Sequence, residues 1–160
     1  MKFFFDSSNS NEAIKAIEEF IKEYGQISAK NADVIVPIGG DGFLLKSLHD
    51  FKHFKKPFYG INYGSIGFLM NTTSDKKLEK IISTAQKIEL KPLRMKAKNN
   101  KGGILESIAF NEVSIMRQTY QASKISIRIN DVERISELIC DGVLVSTAAG
   151  STAYLSLIHI

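Results

Sequence analysis

The spacing of apolar positions changes character once along this chain. Residues 2–5 form an apolar run, Phe3-Phe4-Phe5, that stops at Asp6 and reads as a short strand. Residues 11–24 place apolar side chains at 13, 14, 17, 20, 21 and 24, the period of an amphipathic helix, and Gly25 supplies its stop. A second strand is predicted over 33–38, a helix from 43 to about 51, a third strand over 57–61, and a further helix over 78–86 with Ser74 or Asp75 as its cap. Such alternation argues for a parallel sheet covered by helices. After Pro92 the helical period disappears. Residues 104–117 and 125–129 alternate or run apolar, and Asn130-Asp131 offers a hairpin turn before 132–139. The expected fold class is α/β, with an α/β domain over 1–90 followed by a β-rich domain over 91–160.

Four segments carry candidate chemistry. Val34-Ile35-Val36-Pro37-Ile38 leads directly into Gly39-Gly40-Asp41-Gly42. Three glycines after a strand let main-chain N–H groups approach a phosphate, because no Cβ intervenes and positive φ costs glycine little. Asp41 then stands at the strand's carboxyl end, where ligands bind in open α/β sheets and where a carboxylate can accept a hydroxyl proton or help hold Mg²⁺. The competing explanation is a turn whose Asp caps the next helix. The third predicted strand ends in a second glycine turn, Gly60-Ile61-Asn62-Tyr63-Gly64-Ser65-Ile66-Gly67-Phe68-Leu69, leaving the same sheet edge. It lacks the GxGxxG order of a dinucleotide fingerprint, so a tight packing turn is an equal reading. Phe110-Asn111-Glu112-Val113 sets an amide and a carboxylate in an apolar strand; the pair suits an adenine edge and ribose hydroxyls, or simply a bulge and a solvent-facing strand end. Asp141-Gly142-Val143-Leu144-Val145-Ser146-Thr147-Ala148-Ala149-Gly150-Ser151-Thr152-Ala153-Tyr154 presents main-chain donors, hydroxyls and a ring in succession, suited to a nucleotide or to close packing.

Composition excludes little. Hydrophobic residues at 44% and charged residues at 24% describe a globular chain. No apolar run reaches membrane-spanning length, and the N-terminus lacks the form of a signal peptide, so a cytoplasmic location is expected. A net charge of +4 is spread with two denser zones, Lys52, Lys55, Lys56 and Lys91, Arg94, Lys96, Lys98, Lys101. Neither forms a nucleic-acid module, which leaves solvated surface as the expected role. The single Cys140 precludes an internal disulfide and reads as a buried thiol. His49 and His53 have no zinc-site pattern, and no metal cluster is expected.

The order GGDG, GINYGSIGFL, NEVSI, DGVLVSTAAGSTAY, spanning roughly residues 30–154, resembles the ATP-dependent NAD kinases. The resemblance implies a Rossmann-like α/β domain joined to a β-rich, sandwich-type domain. It also implies phosphoryl transfer from ATP, or from polyphosphate, to the 2′-hydroxyl of the adenosine ribose of NAD, giving NADP. Asp41 would be the general base, with Gly39, Gly40 and Gly42 shaping the phosphate loop and Phe68 walling the NAD pocket. Asn111 and Glu112 would bind adenosine, Asp141 and Ala149 would line the pocket, and Thr152, Ala153 and Tyr154 would complete it. A divalent cation such as Mg²⁺ would be carried mainly by the ATP phosphates. Homo-oligomers are expected of such proteins, with nucleotides rather than nucleic acid or membrane as partners.

The chain departs from the family pattern in places. Phe43 follows GGDG where a hydroxyl residue is common, and Ile139 stands where a basic residue often precedes Cys-Asp-Gly. Family members continue well beyond Tyr154, whereas Leu155-Ser156-Leu157-Ile158-His159-Ile160 resembles translated adaptor sequence. The expectation is therefore a truncated fragment with an incomplete β-rich domain and poor activity. Lipid kinases of the diacylglycerol or sphingosine type and phosphofructokinase-like enzymes share the glycine-loop logic. A nucleotide-binding module without turnover is the reading from a different class.

Overall fold

The computed structural model describes residues 1–65 and 67–151, which fall into two units, Met1–Lys87 and Ile88–Ile160. The first unit runs β1 (Phe3–Ser7), α1 (Asn11–Tyr24), β2 (Val34–Gly39), α2 (Asp41–Phe51), β3 (Ile61–Asn62) and α3 (Leu78–Thr84). Its three strands are parallel in the order β1-β2-β3, with Phe5 opposite Val36 and Gly39 opposite Asn62. All six residues of β2 are buried, as a central strand with two covered faces requires. Pro37, which has no N–H to give, sits within it opposite Asp6.

Helix α1 begins where the Ser10 hydroxyl accepts the Ala13 N–H at 3.2 Å and ends at Gly25, whose N–H donates to the Ile21 carbonyl and whose φ of 76° turns the chain out of the helix. Small buried residues, Ala13 and Ala16, let the helix lie close to the sheet. Phe20 then stacks on Phe5 with centroids 5.5 Å apart, and Tyr24 meets Phe3 edge-on at 5.6 Å. Val34, Val36, Ile38, Ile61 and Leu78 complete this core.

Differences from the predicted elements have local causes. Helix α2 starts at Asp41, two residues before its apolar pattern begins. The expected third strand contracts to Ile61–Asn62 plus a single bridge at Phe58 to β2, and on its other edge Asn71 donates its main-chain and side-chain N–H groups to the Gly60 carbonyl. Neither Ser74 nor Asp75 caps α3. The cap position is Lys77, and the Leu78 N–H donates instead to the Tyr24 hydroxyl at 3.1 Å. Burial raises the Tyr24 pKa, the dominant influence on that hydroxyl.

The second unit contains three antiparallel pairs: β4 (Leu93–Lys98) with β5 (Ile104–Ala109), β6 (Glu112–Met116) with β9 (Gly142–Ser146), and β7 (Ser123–Ile129) with β8 (Val132–Cys140). The apolar stretch 104–117 is thus two strands, parted at Phe110 and Asn111. Asn130 and Asp131 both take positive φ, 51° and 64°, the requirement of a two-residue I′ hairpin turn. Cys140 is half-buried rather than buried. Arg94 and Lys96 of the second basic zone both face Glu106, at 2.9 and 3.4 Å.

Candidate active site

β2 delivers the chain into Gly39-Gly40-Asp41-Gly42, and α2 begins inside that motif with Gly40 as its N-cap. The glycines here do not adopt positive φ; among the described glycines only Gly25 and Gly102 do. Space is the physical reason instead. A Cβ on Gly39 would stand 3.1 Å from the Cβ atoms of Phe43 and Ser8, and one on Gly64 would stand 3.1 Å from the Cα of Gly40. A Cβ added at Gly42 would meet nothing within 4 Å, while the next two N–H groups, of Phe43 and Leu44, both donate to the Gly40 carbonyl.

Asp41 stands in the first turn of α2, behind the Gly40 N-cap, and no side-chain cap bond is made there. Its carboxylate crosses to the second glycine turn, where Oδ2 accepts the Phe68 N–H at 2.8 Å and Oδ1 accepts the Leu69 N–H at 3.0 Å. The two turns are joined again where the Tyr63 N–H donates to the Gly39 carbonyl at 2.8 Å. Asn62 shapes the second turn by accepting the Gly64 N–H at 3.0 Å. Phe68 leaves 80% of its surface exposed. Ser47, fully buried on α2, donates to the Asp6 carboxylate at 2.9 Å and ties the loop helix to β1. A cavity of about 420 Å³ in this unit, lined in part by Tyr24, Tyr59, Tyr63 and Leu78, does not include Asp41. Burial raises the pKa of Tyr59 and Tyr63 there, with Glu19 adding to the effect at Tyr63.

In the second unit, Asn111 and Glu112 stand where β6 begins, and Glu112 is half-buried rather than facing water. Asn111 Oδ1 and Glu112 Oε2 are buried with no hydrogen-bond partner among the described residues. The turn after β9 folds onto them. Thr147 donates its N–H to the Asn111 carbonyl and its hydroxyl to the Phe110 carbonyl, both at 2.7 Å, and Gly150 lies so close to Asn111 that a Cβ there would overlap that residue's backbone. Ala149 is half-buried in this turn. Asp141 is exposed, its carboxylate 2.5 Å from Arg117 Nε, a partner that the motif alone did not indicate. Thr152, Ala153 and Tyr154 lie outside the described residues, as do 155–160.

A sequence-family profile described as the ATP-NAD kinase N-terminal domain matches residues 2–90. The chain belongs to the ATP-NAD kinase family. The NAD kinase of Brucella melitensis biotype 1 is 46% identical over 150 residues, covering 94% of this chain and 58% of that protein. That of Xylella fastidiosa strain 9a5c is 47% identical over 150 residues with the same coverage, and that of Rickettsia canadensis 48% identical over 143 residues, covering 89% and 56%. The chain therefore spans under two thirds of the length of these relatives. Yeast NADH kinase complexed with NADH matches the fold with a TM-score of 0.76 at 18% identity, over 99% of this chain and 61% of that one. That fold match extends over residues of both the α/β unit and the β-rich unit.

Proposed function

We propose that this chain serves as an NAD kinase, transferring the terminal phosphoryl group of ATP, or of polyphosphate, to the 2′-hydroxyl of the adenosine ribose of NAD. The observation that carries the reading is the junction of the two glycine turns at Asp41, whose carboxylate reaches the Phe68 and Leu69 amides rather than its own helix. A carboxylate oxygen has two lone-pair directions, so each Asp41 oxygen keeps one acceptor direction after its bond to the loop. In the proposed reaction the ribose 2′-OH gives its proton to Asp41 while its oxygen forms a bond to the terminal phosphorus; the bond from that phosphorus to the bridging oxygen breaks and ADP leaves. The unfilled space beside Gly42 in the first turn of α2 would suit a phosphate, with Gly39 and Gly40 holding the turn.

Asn111 and Glu112 are proposed to receive adenosine, since unpartnered buried acceptors are satisfied by ligand donors such as an exocyclic amine and ribose hydroxyls. Phe68 would wall the NAD pocket, and Asp141, Ala149, Thr152, Ala153 and Tyr154 would line and close it. Among the described residues no three His, Cys, Asp or Glu side chains gather to hold a metal ion. Mg²⁺ is proposed to arrive as part of the ATP substrate. No described helix is long and apolar enough to cross a membrane. A cytoplasmic homo-oligomer acting on small nucleotides completes the proposal. Incubation with ATP, Mg²⁺ and NAD, read by an NADP-specific dehydrogenase, tests it. NADP formation is expected; phosphorylation of diacylglycerol with none of NAD would overturn it.

A further inference from the structure

Phe68 is 80% exposed, so packing of its ring does not set where it stands. What holds its backbone is Asp41: the Phe68 N–H on Oδ2 at 2.8 Å and the Leu69 N–H on Oδ1 at 3.0 Å. We propose that Asp41 is also the positioning residue of the second glycine turn, a two-oxygen clasp that sets the placement of Phe68 and Leu69, in addition to any proton it accepts. The inference rests on the NAD kinase reading only for what the held segment is for.

The chemistry of the clasp is specific to a carboxylate. Two N–H donors from successive residues converge on one side chain, and only an ionised acid offers two acceptor oxygens to meet them. Asn in the same place offers one oxygen and turns an NH₂ toward the other donor. The turn's other described ties lie on either side of the clasped pair: downstream, Asn71 donates to the Gly60 carbonyl and accepts the Asn62 N–H. Tyr63 is bonded to Gly39 and Gly64 to Asn62, both upstream of the clasped pair. Gly67, next to Phe68, lies so close to Asn62 that an added Cβ would be 3.1 Å from its Oδ1, so the turn cannot reseat itself freely on that side. A substitution made to remove a base at Asp41 therefore also releases the segment carrying Phe68. The two consequences are separable because one concerns backbone amides and the other a reacting hydroxyl.

Amide hydrogen exchange resolved to single residues by mass spectrometry, on the protein from the complete reading frame encoding this chain, reads the clasp directly. In the wild-type chain the Phe68 and Leu69 amides are expected to be protected. In Asp41→Ala both should exchange about ten- to a hundredfold faster, while Val36 and Ile38 in the buried central strand stay as they were. Asp41→Asn, which keeps the shape and serves if the alanine variant does not fold, should release at least one of the two. Asp41→Glu should keep both protected. Unchanged exchange at Phe68 and Leu69 in Asp41→Asn and Asp41→Ala would overturn the proposal. In the complete reading frame that encodes this chain, the clasp further predicts that KM for NAD rises together with the fall in kcat in Asp41→Asn, and that Asp41→Glu restores KM more than kcat. A fall in kcat at unchanged KM would contradict it. If the wild-type protein forms no NADP, the kinase reading fails while the exchange pattern still decides the clasp.

Discussion

Gly42→Ala separates the conformational role of the GGDG turn from its proposed chemical one, because the two demand opposite signs. Gly42 is the second residue of α2, has no positive φ, and an added Cβ would find nothing within 4 Å. On folding grounds the methyl group should help: alanine gains about 0.5–1 kcal/mol over glycine in a helix. For a unit the size of Met1–Lys87, that corresponds to a rise in Tm of about 2–8 °C. All three described α-helices belong to this unit, so thermal melting followed by helical circular dichroism reports on it. If the empty space over Gly42 is where a phosphate approaches the first-turn N–H groups, the same methyl screens them. Losing one charge-assisted hydrogen bond costs about 1.5–3 kcal/mol, roughly ten- to a hundredfold in ATP binding or transfer. Equilibrium dialysis with ATP and the rate of NADP formation measure that side. A stabilised variant with undiminished ATP binding and transfer would refute the assignment of this turn to phosphate.

Ser47→Ala removes the buried donor to Asp6 and should cost about 1–3 kcal/mol in urea unfolding; a loss below about 0.5 kcal/mol, the range of an ordinary surface change, would mean the pair does not anchor α2. Asn111→Leu removes a buried acceptor that lacks a described partner, so stability should hold or rise while KM for NAD increases about tenfold or more; destabilisation with unchanged KM would contradict a ligand-facing role. Ile104, Leu105, Ile115, Met116, Ile139 and Val145 are each at least 59% exposed, so the 160-residue chain should bind a hydrophobic dye and associate with rising concentration in sedimentation velocity; a dye-silent monomer across the range would count against it.

Much of the first unit was legible because its signals are local. The helix over 11–24 was read from its apolar period and the adjacent Gly25, and the structure adds Ser10 as the cap of its start. The hairpin at Asn130 and Asp131 was legible for the same reason. What escaped was set by partners distant in sequence. The start of α3 is satisfied by the Tyr24 hydroxyl, 54 residues away, which no reading of Ser74 or Asp75 could reveal. The third strand is only two residues long, and the bonds of Asn71 to Gly60 on its outer edge come from a residue eleven positions on. At the candidate site, the GGDG motif located Asp41 but suggested a helix cap or a free base; its bonds to Phe68 and Leu69 span 27 and 28 residues. The expectation of positive φ in that motif was misplaced: these glycines have ordinary backbone, and a side chain at Gly39 would be crowded by Phe43 and Ser8. Arg117 beside Asp141 was similarly hidden, because β6 and β9 pair across a long intervening hairpin.

The central claim is that Asp41, where the two glycine turns meet, carries the transfer of phosphate to NAD. The most direct measurement is the turnover number for NADP formation from ATP and NAD by the complete reading frame encoding this chain, compared with its Asp41→Asn variant under saturating substrates. The account predicts NADP from the wild type and a fall of about two to four orders of magnitude in the variant, the scale of general-base catalysis. Turnover within about twofold of wild type, well below that scale, would contradict it.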